Sequence, residues 1–215
     1  MTTLVLASAS PARLETLRRA GFAPRVIVSD VDEDAALAQA REAARSSGAE
    51  LAPADAVLEL ARAKAGSVAA TAPSDCVILG CDSMLELGGE IFGKPGSAAI
   101  ARERWRAMRG GHGWLHTGHW LIYVKTAGAP VAVGRTASTL VRFADLSDAE
   151  IDDYIATGEP LRVAGGFTVD ALGGPYVTGI EGDYHNVVGV SLPLVRELVG
   201  ELGLTIGALR EAPVL

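Results

Sequence analysis

Long apolar runs are missing from this 215-residue chain. Stretches such as Cys76 to Leu79 are far too short to span a bilayer, so no membrane partner is expected. Cysteine is nearly absent. Cys76 and Cys81 lie five apart on one expected strand, an odd spacing that puts them on opposite faces and excludes their pairing. Reduced, packed thiols fit a cytosolic protein. No basic run or stripe interrupts a net charge of −7, which argues against a nucleic-acid-coating surface but leaves room for a local basic pocket. No basic region stands ahead of an apolar stretch at the N-terminus, so no signal peptide is expected and the cytoplasm is the expected compartment. Lysine is scarce too: of 19 basic residues 16 are arginine, leaving Lys64, Lys94 and Lys125. In such a chain a lysine marks a candidate place for a compact ammonium. Repeats and low-complexity segments are also lacking.

What is present is ordinary globular material, 49% hydrophobic and 21% charged, expected to form one domain over residues 1–215. Strands and helices alternate in the first half. Thr3 to Leu6 reads as a buried strand, and Pro11 opens a helix carrying Leu14 and Leu17. Arg25 to Ser29 reads as a strand, Asp34 to Ser46 and Ala54 to Ala70 as helices, and Cys76 to Asp82 as a buried strand ending in a carboxylate. Gly88-Gly89 marks a hairpin turn, followed by a helix from Ala98 to Met108. The second half opens with two long strands, Leu115 to Thr126 and Val131 to Phe143. Ser147 and Glu150 form a capping box for a helix closing at Gly158, and another helix spans Pro193 to Leu202. The change from alternation to paired long strands suggests two lobes with a cleft between them.

Three stretches could line that cleft, because groups at the carboxyl ends of strands converge in open α/β sheets. In "SASPAR", the hydroxyls of Ser8 and Ser10 sit on a strand-to-helix turn where backbone N–H groups favour an anion, and Arg13 reaches the same point. Taken alone, Ser10 reads better as a helix cap. In "SDVDED", Glu33 is a hard oxygen donor, although a solvated helix-capping loop explains that stretch as well. In "GCDSMLELGGEIFGKP", Asp82 ends a strand and Lys94 follows the hairpin. Each has a plainer explanation: a turn carboxylate for Asp82, a hairpin exit for Lys94, a wet helix face for Lys64. Carboxylates such as Glu33 and Asp82 suit Mg²⁺ or Mn²⁺, and Lys64, Lys94 and Arg13 suit a polyphosphate. His116 and His119 are an odd number apart on an expected strand and face opposite ways, which disfavours a histidine metal site.

"LASASPAR", "DVDE", "ARAKA", "GCDSMLELGGEIFGKP", "HTG" and "IEGDYHNVVGVSLPLV" stand in the order found in the Maf family of nucleoside triphosphate pyrophosphatases, which this chain resembles from Leu4 to Leu202. The resemblance implies an α/β fold with an elongated mixed sheet flanked by helices, two lobes around a deep cleft, and a homodimer. It implies a divalent-metal-dependent hydrolase that cleaves a nucleoside triphosphate to monophosphate and pyrophosphate. Ser8, Ser10 and Arg13 match the family's phosphate-binding motif, Glu33 its metal-associated glutamate, and Lys64 and Lys94 its lysines. Asp82 matches the proton acceptor and, with Glu33, would hold the metal. At the places that separate dTTP/UTP-type from 7-methyl-GTP-type members this chain has Ala12, Ser83 and Asp170, which fits neither pattern and leaves base choice open. Because Maf relatives have been linked with cell-division arrest, a nucleotide-binding regulator without turnover is the alternative.

Overall fold

The structure, a computed structural model, describes residues 2–210. Its first half alternates β1 (Thr3–Leu6), α1 (Pro11–Arg19), β2 (Arg25–Val26), α2 (Glu33–Ser46), α3 (Pro53–Ala69), β3 (Cys76–Leu87), β4 (Glu90–Phe92) and α4 (Ala98–Met108). The second half runs β5 (His112–Val124), β6 (Val131–Phe143), α5 (Asp148–Ala156), β7 (Val177–Glu181), α6 (Tyr184–Val188), α7 (Leu192–Glu201) and α8 (Ile206–Leu209). One mixed sheet of seven strands, ordered β2-β1-β3-β5-β6-β7 with β4 also on β3, ties both halves together. β1 pairs in parallel with β2 and β3, whereas all other pairings are antiparallel. The expected α/β class with an elongated mixed sheet between helices is what the chain adopts.

Local chemistry explains most boundaries. Ser10 caps α1 with Pro11 at its first turn, and Ser147 and Glu150 complete the capping box of α5. Gly88 and Gly89 both take positive φ, as a two-residue hairpin turn between Leu87 and Glu90 requires. Helix α3 lies unusually close to the sheet. A Cβ added at Gly80 would collide with the Ala61 carbonyl, and one at Gly118 with the Val57 carbonyl. Only glycine lets the helix approach there.

Two expectations differ from the structure. The strand read as Arg25 to Ser29 stops at Val26, because β1 ends at Leu6 and offers nothing further to pair with once Ile27 N–H has bonded Leu6 C=O. Asp82 lies in the middle of β3 and not at its end, since β5 pairs along β3 from Cys76 to Glu86 and keeps it extended. Beyond those expectations, the segment "YVTGIEGDYHNVVG" holds β7, antiparallel to β6, and the short helix α6.

The core packs on both sheet faces. Leu6, Leu79, Cys81 and Leu121 meet Leu17 of α1 and Val195 and Leu198 of α7. Val5, Cys76, Ile78 and Ile122 meet Ala65 and Val68 of α3 on the other side. The two cysteines are thus free, buried and on opposite faces. At the far end, α4 and α5 enclose an aromatic cluster in which Trp105 stands edge-on to Phe143 and Tyr154 at 5.8 and 5.5 Å. Among the described residues no helix is long and apolar enough to cross a membrane.

The register creates one feature that matters for function. β1 covers β3 only from Cys76 to Leu79, and β4 covers it only from Leu85 to Leu87. Between them, Gly80 to Met84 have a neighbour on the β5 side alone. Both faces of β3 are therefore reachable from one open edge.

Candidate active site

That open edge is the floor of a cavity of about 470 Å³. Ser8 and Ser10 line it from the β1–α1 turn, Arg13 from the first turn of α1, Glu33 from the start of α2 and Lys64 from α3. Asp82 and Ser83 line it from β3, Lys94 from the turn after β4, and Asp170 from the loop before β7. Every residue matched to the family's site reaches this one space, whereas the third lysine, Lys125, lies outside it beside the Tyr123 ring.

Asp82 points to the α3 face. Its carboxylate accepts a hydrogen bond from Lys64 Nζ at 2.6 Å, and the same ammonium lies 2.8 Å from Glu33 Oε1. Lys64 and Asp82 are 8% and 7% exposed, which excludes the wet-helix-face explanation for Lys64. The close approach of α3 at Gly80 sets this geometry, with Lys64 one turn along the helix and Asp82 two residues along the strand. Burial pushes the Asp82 carboxyl above its ordinary pKa, against the opposing pull of the Lys64 ammonium and the Arg13 guanidinium. A carboxylate so placed is suited to accept a proton.

Ser83 points to the other face and meets Arg13. The Arg13 guanidinium donates to Gly189 C=O at 2.7 Å, to Ser8 Oγ at 3.0 Å and to Ser83 Oγ at 2.8 Å. Those bonds use three of its five N–H groups and leave two for an anion. Ser10 Oγ accepts from Arg13 N–H at 3.4 Å, so the capping explanation of Ser10 holds alongside its place in the cavity. Asp32, likewise, is the N-cap of α2, and Glu33 is the first residue inside it.

The wall bearing Lys94 is fastened through the backbone. Gly93 C=O accepts from the Arg104 guanidinium at 2.6 Å and from Gly165 N–H at 3.2 Å. Trp105 Nε1–H donates to Gly166 C=O at 2.9 Å. Lys94 itself is exposed to the cavity.

Two groups of lining residues escaped the sequence reading. Arg162 is a further cation on the cavity wall. It does not stand out among 16 arginines, whereas three lysines do. Leu115, Phe167, Val169 and Val187 form an apolar lining, which only the tertiary fold brings together. The histidines stand apart, as their spacing implied. His116 hydrogen-bonds Ser138 and Glu86 on one sheet face. On the other, the His119 ring donates from Nδ1 to Thr117 C=O and accepts from Ser191 N–H. Burial drives its pKa down to about 4.

The donor set suits a hard divalent cation. Glu33 and Asp82 converge on one positive charge, and two carboxylates are what Mg²⁺ takes from a protein when phosphate oxygens and water supply the rest. No cluster of three or more His, Cys, Asp or Glu with metal-binding geometry occurs among the described residues.

Comparison with known proteins gives the family of the chain. The chain is 50% identical over 210 residues to a nucleoside triphosphate pyrophosphatase of Mycolicibacterium gilvum, covering 96% of this chain and 97% of the relative. It is also 50% identical to proteins of that name from Nocardia farcinica, covering 99% and 98%, and Rhodococcus opacus, covering 97% and 96%. With residues 3–202 matched by the family described as Maf-like protein, the chain belongs to the Maf family.

Proposed function

We propose that this protein hydrolyses nucleoside triphosphates to monophosphate and pyrophosphate, the activity named for its relatives. The observation that carries the reading is the Glu33–Lys64–Asp82 cluster, at 2.6 and 2.8 Å, on the floor of a cavity lined by further cations. Asp82 accepts a proton from water as its oxygen bonds to the α-phosphorus. The bond from that phosphorus to the bridging oxygen breaks, and pyrophosphate leaves with the electron pair. Lys64, Lys94 and Arg13 hold the phosphate oxygens and offset the growing charge, with Ser8 and Ser10 beside them. Glu33 and Asp82 would hold Mg²⁺ or Mn²⁺, which supplies neutralisation of phosphate charge. The apolar lining accommodates the base, with Ser83 and Asp170 within the same space. Base choice ranges over dTTP/UTP-like, modified and 7-methyl-GTP-type nucleotides. The homodimer in this reading rests on the family resemblance, and the cytoplasmic location on the free, buried cysteines.

The test is pyrophosphate release from the common nucleoside triphosphates, 5-methyl-UTP, pseudo-UTP and 7-methyl-GTP, with Mg²⁺ and then Mn²⁺. Selective release that stops on chelation supports the reading. In Asp82→Asn the rate should fall by at least about a hundredfold with nucleotide binding retained. Nucleotide binding without release in the wild-type protein overturns it in favour of a regulator.

A further inference from the structure

Glu159 follows Gly158, the left-handed residue that ends α5, and lines no part of the cavity. Its carboxylate nevertheless gathers four donors. Oε1 accepts from Tyr154 Oη–H at 2.9 Å, Thr168 Oγ1–H at 2.6 Å and Gly173 N–H at 3.0 Å. Oε2 accepts from Leu172 N–H at 3.3 Å. The Tyr154 hydroxyl accepts in turn from Thr168 N–H at 3.2 Å, and Thr168 Oγ1 accepts from Gly173 N–H at 3.0 Å. One carboxylate thus fastens both ends of the segment from Thr168 to Gly173. Between those ends stand Val169 and Asp170, both on the cavity wall.

We infer that Glu159 is a positioning residue for base selection, acting by clamping the Thr168–Gly173 loop so that Asp170 and Val169 meet the base in one fixed geometry. The inference rests on the pyrophosphatase reading and adds how its selectivity is built. Four donors on one group favour the charged form. The hydrogen bonds from Thr168, Tyr154, Leu172 and Gly173 outweigh burial and hold the Glu159 carboxyl below its ordinary pKa. A four-residue span with only polar or small anchors has little core packing of its own; Leu172 is 57% exposed. Its conformation therefore depends on the clamp. The groups assigned to chemistry sit on β3, α2, α3, α1 with the turn before it, and the turn after β4, none of which bonds Glu159. Selectivity and substrate affinity should respond to Glu159 separately from the chemical step.

The experiment compares wild-type protein with Glu159→Ala, Glu159→Gln and Tyr154→Phe, whose altered groups all lie outside the cavity. Turnover and calorimetric binding are measured across the same nucleotide panel, with amide exchange at Leu172 and Gly173. For Glu159→Ala we expect faster exchange at both amides and about a tenfold rise in KM for the preferred nucleotide. The preference ratio should shrink by a similar factor while kcat stays within about threefold. Glu159→Gln, which keeps one accepting oxygen, should fall between, and Tyr154→Phe should show a smaller change in the same direction. If Glu159→Ala fails to fold, these two variants carry the comparison. An unchanged preference ratio with loosened amides overturns the inference, as does a loss confined to kcat. Absence of turnover in the wild-type protein defeats the pyrophosphatase reading alone. The ratio of nucleotide affinities then decides the role of Glu159, collapse in the variants supporting it and constancy overturning it.

Discussion

At the residue scale, Lys64 has two acidic neighbours in unlike surroundings, and their removal should have unlike consequences. Asp82 is buried, whereas the Glu33 side chain is 53% exposed. Lys64→Met strands the Asp82 carboxylate in the interior without its ammonium, a loss of about 3–5 kcal/mol when the charge is retained. Glu33→Gln removes a pair that solvent already screens and should lower stability by less than about 1 kcal/mol. Urea unfolding of the two variants at neutral pH measures the contrast; equal losses would contradict the burial asymmetry. Both should impair turnover, since both change the charge at the reacting phosphate. This cluster was legible in the sequence because the lysines are few and the carboxylates sit in recognisable motifs. Arg162 and Glu159 were not. An arginine among many carries no compositional signal, and three of the four donors to Glu159 lie 9 to 14 positions away, in a loop whose shape no periodicity encodes.

At the element scale, α3 delivers Lys64 only because β3 has no side chain at Gly80. A methyl group there meets Ala61 C=O and Ala65 N–H of the helix backbone, which cannot rotate away. Gly80→Ala should destabilise the protein by about 2–3 kcal/mol through overpacking. It should also lower kcat, because lifting α3 draws Lys64 away from Asp82. Thermal unfolding and turnover measured together check this, and full activity would show that Lys64 does not depend on the helix's closeness. Helix α7 depends on a titratable group instead. Its N-cap residue, Ser191, donates its N–H to the neutral His119 ring. With its pKa lowered from 6.5 to about 4 in the fold, His119 favours the folded state above pH 6.5. That contribution fades as pH falls toward 4, because the unfolded chain takes up the proton first. The slope is at most about 1.4 kcal/mol per pH unit. His119→Gln should remove this part of the acid sensitivity, seen as a flatter stability curve between pH 6.5 and 4. Element identities were largely readable from capping and spacing. Their lengths were not, because β2 and β3 end where partners end, and pairing between distant strands leaves little local trace.

At the scale of the whole molecule, a chain of net charge −7 concentrates Arg13, Lys64, Lys94 and Arg162 around one cavity. The cavity exists because β1 and β4 leave part of β3 uncovered, and its walls come from the β1–α1 turn on one side and, on the other, from the turn after β4 and the loop before β7, which are bonded to each other through Gly93 and Gly165. A ligand that touches all of them bridges parts of the fold otherwise joined mainly through the sheet. Binding to the folded state alone at a hundred times Kd adds about 2.7 kcal/mol of stability. For a chain of this size that corresponds to a rise in Tm of roughly 5–10 °C. Asp82→Asn, which should bind without consuming its ligand, is the form in which to measure it. With nucleoside triphosphate and Mg²⁺ the variant should show the full shift, while monophosphate, lacking the β- and γ-phosphates that Lys64 and Lys94 would hold, should give a much smaller one. Equal shifts with mono- and triphosphate would place the recognition in the base and ribose, and would remove the lysines from the phosphate-binding role assigned to them.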